Sequence, residues 1–179
     1  MTDPVPTTVL LYTLLLGFVA VERLVELRVS RRNAAWSLQR GGVETGAGHY
    51  PAMVLLHTGL LVGSALEVWL LQRAFVPALG LPMLVVAVSC QGLRWWCIRT
   101  LGPRWNTRVI VLPGVPPVVT GPYRFFRHPN YVAVVVEGIA LPLVHGAWLT
   151  ALSFSLLDAL LLTVRVRTEE LALRQVVPR

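Results

Sequence analysis

The chain has 179 residues, 55% of them hydrophobic, with a mean hydropathy of +0.63, more than a soluble domain of this size needs to fill its core. Sixteen basic residues against nine acidic ones give a net charge of +7, and every base is arginine. No nucleic-acid motif accompanies them, so the charge reads as a membrane-orientation signal that also suits anionic headgroups.

A bilayer pass needs about 20 mostly apolar residues. The first predicted helix covers Val5–Val21. Met1–Thr8 contains Asp3 and no arginine, and the run ends in Glu22-Arg23 without an Ala-x-Ala site, so a retained helix is expected in place of a cleaved signal peptide. Pro51–Leu66 and the uncharged Ala74–Leu93 supply the second and third passes. Cys90 and Cys97 lie seven apart on the third, too far along the axis to bridge. With no paired Cys-x-x-Cys and no His-x-x-x-His, no metal is assigned. Tyr131–Val164 is too long for one pass, at about 51 Å against a core of about 30 Å. Pro142–Trp148 offers a turn midway, which favours a helical hairpin. Five passes with the N-terminus outside put Arg23, Arg28, Arg31, Arg32 and Arg40, then Arg94 through Arg127, then Arg165, Arg167, Arg174 and Arg179 on the cytoplasmic face, leaving only Arg73 outside. The expected fold is an all-α integral membrane protein of about five transmembrane helices, the last two a short hairpin, with the C-terminus cytoplasmic. It forms a single domain over 1–179: residues 1–98 hold three helices and the first cytoplasmic loop, and 99–179 hold a cofactor-binding loop, the hairpin and a C-terminal motif.

The non-apolar stretches, Arg28–Tyr50 and Arg99–Asn130, fall on the cytoplasmic side of that topology. Prolines and glycines between Gly102 and Pro117 exclude a continuous helix, and Thr107–Leu112 suits a short extended piece. Free backbone groups beside a bilayer can grip a polar ligand in a cavity. In Gly121-Pro-Tyr-Arg-Phe-Phe-Arg-His-Pro-Asn-Tyr131, Asn130 is suited to cap the next helix, which places His128 and Tyr131 at a loop-to-helix junction. A helix N-terminus flanked by Arg124, Arg127 and His128 favours an anionic guest. His128 is either a ligand or a junction cap, and Tyr131 either a contact or an interfacial aromatic; Arg124 and Arg127 are either anion binders or topology charges. Arg165, Glu169 and Glu170 are either an exposed i,i+4 pair or part of a site. Glu22, Arg23 and Glu26 are expected as an ion cluster with Arg94 or Arg99, or as acceptor contacts. Glu137 is a candidate acid or base. His57 and Glu67 read as buried, satisfied polar groups, His49 with Tyr50 as a pocket closure, and Trp95 and Trp96 as interfacial anchors.

Gly121-Pro-Tyr-Arg-x-x-Arg-His-Pro-x-Tyr131, an apolar hairpin, and then Arg165-x-x-x-Glu169-Glu170-x-x-Leu173 resembles the isoprenylcysteine carboxyl methyltransferase family, which overlaps the phospholipid N-methyltransferases. Ala133 departs from the pattern, many members having glycine after the motif tyrosine. The resemblance implies a membrane-embedded enzyme using S-adenosylmethionine. It assigns the cofactor to Gly121, Tyr123, Arg127, His128, Pro129, Tyr131, Glu169 and Glu170, and a site role to Arg165; Glu137, near His128 and Tyr131 along the chain, joins Arg165 as the second candidate for the chemistry. Arg23, Glu26, His49, Arg94 and Asn106 then form the acceptor side. A second similarity, over Arg23 to Trp36, Gly41 to Gly46, His49-Tyr50 and His57, is to the bacterial branch found with type III polyketide synthases. That similarity implies O-methylation of a lipophilic acceptor such as an alkylpyrone or alkylresorcinol, in a bacterial plasma membrane, with membrane lipids and a polyketide synthase as functional partners. Prenylcysteine carboxyl methylation and phospholipid N-methylation are the alternatives within the enzyme class. A lipid-binding scaffold or transporter subunit is the alternative outside it.

Overall fold

The computed structural model describes residues 5–176; Asp3 and Arg179 lie outside the described residues. Five helices dominate: α1 (Thr7–Leu38), α2 (Tyr50–Leu70), α3 (Pro77–Leu101), α4 (Pro129–Leu143) and α5 (Trp148–Val176). Two short strands, β1 (Val43–Thr45) and β2 (Val109–Val111), pair antiparallel with Glu44 opposite Ile110. They join the two loops at one end of the bundle and qualify the all-α expectation, although Val109–Val111 falls inside the predicted extended piece.

Helix α1 differs most from the expected Val5–Val21 span. It continues to Leu38, about 48 Å at 1.5 Å per residue. The cause is a polar stripe at helical spacing, Glu22, Glu26, Ser30, Asn33 and Ser37, all buried. Leu14, Phe18, Val21, Leu24 and Val25 face outward on the same helix. Charges that read as the end of a membrane pass are the inward face of an unbroken helix. Arg94 likewise lies inside α3 and not in the loop after it, and it is buried. Asn130 does not cap α4: the helix starts at Pro129, behind a cap position held by His128 without a side-chain hydrogen bond.

The predicted hairpin turn is present between Leu143 and Trp148, where Gly146 takes a φ of +70°. Small residues let the hairpin close. Ala133, Ala140, Ala147 and Ala151 are buried, and a Cβ on Gly138 would run into the Phe154 ring. Glu67 fixes the start of α5, accepting from the backbone N–H of Leu149 (3.2 Å) and Thr150 (2.7 Å), from the Thr150 hydroxyl (2.8 Å) and from Arg73. The core at the hairpin end joins Val9, Tyr12 and Leu16 of α1 to Val68, Ala87, Leu141 and Val144.

Among the described residues four helices, α1, α2, α3 and α5, are long and apolar enough to cross a membrane. Helix α4, with 15 residues, rises about 22 Å, short of the roughly 30 Å hydrocarbon core.

Candidate functional site

The two halves of the motif, distant in sequence, meet where the N-terminus of α4 packs on the last turns of α5. Gly121 opens the first half with a φ of +57°, and a Cβ there would come within 2.5 Å of Thr100 Oγ1. Only glycine fits this left-handed, tightly packed position. Pro122 and Pro129 are fully buried and set the backbone on either side of the loop, without facing the cavity described below.

His128 stacks on Tyr131, with ring centroids 5.3 Å apart and an interplanar angle of 21°. Its Nδ1 lies 3.7 Å from Glu169 and its Nε2 3.8 Å from Glu170. Arg127 Nη1 pairs with Glu170 at 3.2 Å while its side chain stays largely in solvent. The Tyr131 hydroxyl donates to Glu169 and accepts from Arg165 Nε at 2.9 Å. Arg165 is buried, with its guanidinium 5.5 Å from the Tyr131 ring centre, and it also donates to the Thr107 carbonyl and touches Met53 Sδ. Arg165 therefore ties α5, α4, α2 and the loop before β2 together. It is no exposed i,i+4 pair with Glu169.

This junction divides two cavities. A loop-side cavity of about 640 Å³ is lined by Asn106, residues 108–112, Tyr123, Arg127, His128, Glu169 and Glu170, among others. A smaller cleft of about 130 Å³ opens between α1, α2, α4 and α5, and its walls include Leu27, Val54, Val134, Leu161 and Leu162. Trp105, Asn130, Tyr131 and Arg165 border both. The loop-side cavity carries buried polar atoms without partners: His128 Nε2, Asn130 Oδ1 and both amide atoms of Asn106. Burial and the neighbouring Cys97 thiol push the Tyr123 phenol well above its ordinary pKa, so it stands in this cavity as a neutral hydroxyl.

Of the residues expected on the acceptor side, Arg23, Glu26 and Arg94 line the cleft. Arg94 grips both oxygens of Glu26 (3.1 and 2.7 Å), and Arg23 adds a bond at 2.9 Å. Asn106 faces the loop-side cavity instead, and His49 borders neither space. Glu137 is not brought to the junction. Six residues beyond Tyr131 it points to another side of α4, where it meets Arg23 (3.5 Å), Arg94 (3.8 Å) and Gln91 (2.8 Å). Its carboxylate belongs to the buried ion cluster, which leaves Arg165 alone of the expected pair at the junction. Trp95, expected as an interfacial anchor, donates to Glu22 in the same cluster. His57, expected as a satisfied core residue, lines the cleft, as do Asp158, Met53 and Thr107, to which the sequence reading gave no site role. Asp158 did leave a signal, an acid inside an apolar run. Among the described residues no three His, Cys, Asp or Glu side chains gather as a metal site.

A family model described as isoprenylcysteine carboxyl methyltransferase (ICMT) matches residues 83–175. The Bacillus subtilis (strain 168) protein YpbQ is 35% identical over 165 residues, covering 92% of this chain and 98% of that protein. A Haemophilus influenzae protein is 24% identical over 160 residues, covering 88% and 91% respectively. Both relatives are described as uncharacterized. No solved structure matches the chain.

Proposed function

The chain belongs to the isoprenylcysteine carboxyl methyltransferase family, and from that premise we propose that it is an S-adenosylmethionine-dependent membrane methyltransferase that O-methylates a lipophilic acceptor such as an alkylpyrone or alkylresorcinol. The observation that carries the proposal is the pair of cavities sharing Tyr131 and Arg165 as a common wall. One cavity lies on the loop side and carries partnerless polar atoms; the other, set among the helices, has apolar walls of Leu27, Val54, Val134, Leu161 and Leu162 beside its charged side chains.

The residues present fit the cofactor. A cavity of about 640 Å³ lies within the usual range for a ligand of this size. Its partnerless atoms, His128 Nε2, Asn130 Oδ1 and the Asn106 amide, are hydrogen-bonding positions that a polar guest would satisfy. Glu169 and Glu170 supply acceptors for ribose hydroxyls or an amino group, and Arg127 and His128 supply donors for a carboxylate. When bound, the cofactor supplies a methyl group on a positively charged sulfur.

Methyl transfer is an in-line displacement in which charge is neutralised, so the protein contributes chiefly by orientation and by excluding water. Arg165 and Tyr131 hold the wall at which the two guests meet, and their mutual bond keeps that wall from shifting. An acceptor hydroxyl at this point lies beside the guanidinium, which favours its ionised form. The apolar cleft walls take an alkyl tail. Membrane crossing by five helices, a cytoplasmic site and a bacterial plasma membrane location complete the proposal. A type III polyketide synthase would be a source of such acceptors.

The test incubates purified protein with labelled cofactor and three acceptor classes. Label in an ether of a hydroxyl-bearing lipid supports the reading. Label only in a prenylcysteine ester or in phosphatidylethanolamine overturns the acceptor. Failure to bind either the cofactor or its demethylated product, with no change on His128→Ala, would favour a lipid-binding scaffold.

A further inference from the structure

The cleft contains an acid that the fold leaves unanswered. Asp158 is 4% exposed, its Oδ2 has no hydrogen-bond partner, and it lines the cleft from α5. A carboxyl group without a partner in an apolar setting is costly, and acids inside membrane bundles characteristically face a cavity and its guest.

Its position is set by helix geometry. Asp158, Leu161, Leu162 and Arg165 all line the cleft at the i, i+3, i+4, i+7 spacing of one helix face. Asp158 thus sits about two turns, roughly 10 Å of rise, from the Arg165 backbone. The Arg165 guanidinium is held at the other end of that face by the Tyr131 hydroxyl and the Thr107 carbonyl. On α2, His57 Nδ1 lies 2.9 Å from the Met53 carbonyl. A carbonyl only accepts, so Nδ1 carries the proton and Nε2 is left as an acceptor. The cleft therefore presents Asp158 and His57 as acceptors below the donor Arg165.

The other charges lining the cleft are Arg23, Glu26 and Arg94, and they are already engaged with Glu22 and Glu137. Three carboxylates face two guanidiniums in that cluster, so it holds no spare positive charge. Of the guanidiniums lining the cleft among the described residues, Arg165 alone lies outside that cluster, beside the reacting hydroxyl, and no further positive charge is left for a carboxylate at the Asp158 end.

Resting on the assignment of the cleft to the acceptor, we propose that Asp158 is a specificity-determining residue. It accepts a hydrogen bond from a hydroxyl on the acceptor's ring, so the cleft selects neutral hydroxyl-bearing rings with apolar tails over lipids ending in a carboxylate. A hydroxyl both donates and accepts, and so complements Asp158 in either protonation state.

The experiment uses the full chain in detergent with an alkylresorcinol, its monomethyl ether and a prenylated cysteine acid as probes, and compares Asp158→Leu and Asp158→Asn with the unaltered protein. For Asp158→Leu the expected result is a KM for the alkylresorcinol raised about tenfold or more, kcat changed less than about threefold, and affinity for the demethylated cofactor unchanged. The monomethyl ether has no second hydroxyl to donate, so its KM is expected to be insensitive to the substitution. Asp158→Asn keeps an accepting oxygen and falls in between. The melting temperature of Asp158→Leu should not drop, because an unpaired buried acid is being removed; a structural role would lower it. An alkylresorcinol KM within about twofold of the unaltered protein, or an equal loss with both probes, overturns the proposal. Absence of transfer to any hydroxyl lipid by the unaltered protein overturns the O-methylation assignment and this inference together. Normal transfer with indifference to Asp158 overturns this inference alone.

Discussion

Arg165→Lys keeps the positive charge of the junction and removes its shape, so it separates geometry from electrostatics. Arginine bonds through Nε to the Tyr131 hydroxyl at 2.9 Å and through Nη2 to the Thr107 carbonyl, while its plane lies over the Tyr131 ring. A lysine ammonium is a compact point charge and cannot reproduce that fork. One of the two bonds is lost at a buried site, and a hydrogen bond to a charged group contributes about 1.5–3 kcal/mol, which corresponds to a fall of roughly 10- to 150-fold in kcat/KM. Steady-state transfer of labelled methyl, with the acceptor varied at saturating cofactor, reads this directly. Calorimetry with the demethylated cofactor should show affinity changed far less, because the partnerless atoms assigned to the cofactor belong to other residues. A loss of less than about threefold would refute the reasoning, since it would mean the Arg165 fork does not set the reacting geometry.

Glu26→Ala removes the carboxylate that Arg94 grips with two bonds and Arg23 with one, leaving them the longer contacts to Glu22 and Glu137, and should cost about 1.5–3 kcal/mol of stability, seen as a lower melting temperature in detergent. Gly121→Ala forces a left-handed backbone and a collision with Thr100, so it should lower both melting temperature and cofactor affinity in a paired melt and titration. Tyr123→Phe tests the neutral phenol. A pKa raised by burial keeps that hydroxyl protonated through and beyond the ordinary range, so it is no base, and the basic limb of the pH–rate profile should survive the substitution. Glu67→Ala removes the group holding the first turn of α5 and should destabilise by about 1–2 kcal/mol while leaving the cofactor titration intact.

How much the sequence could reveal depended on what kind of signal each element carried. The α4–α5 turn was legible because Pro142 and Gly146 interrupt an apolar run too long for one pass. The meeting of His128 and Tyr131 with Glu169 followed from that turn, since a hairpin returns the chain to the same end of the bundle. The full length of α1 is not legible in average hydropathy, which registers how many charges a segment has and not which side they occupy. The spacing of Glu22, Glu26, Ser30, Asn33 and Ser37 held the answer. Glu137 is close to Tyr131 in sequence, but helical rotation carries it away from the junction into the ion cluster with Arg23 and Arg94. The pairing of β1 with β2 could not be read, because three-residue strands have no periodicity of their own. Asp158 was visible as an isolated acid, but its place in the cleft depends on the packing of α1, α2 and α4 around α5.

The most direct test of a cofactor cavity and an acceptor cleft meeting at Arg165 and Tyr131 is a mass-spectrometric search for a methyl ether in hydroxyl-bearing lipid incubated with labelled S-adenosylmethionine. The protein should produce the labelled ether, and Tyr131→Phe should reduce its rate by about tenfold or more without abolishing cofactor binding. A labelled ether formed at an undiminished rate by Tyr131→Phe, or no labelled ether from any acceptor by the unaltered protein, would contradict the account.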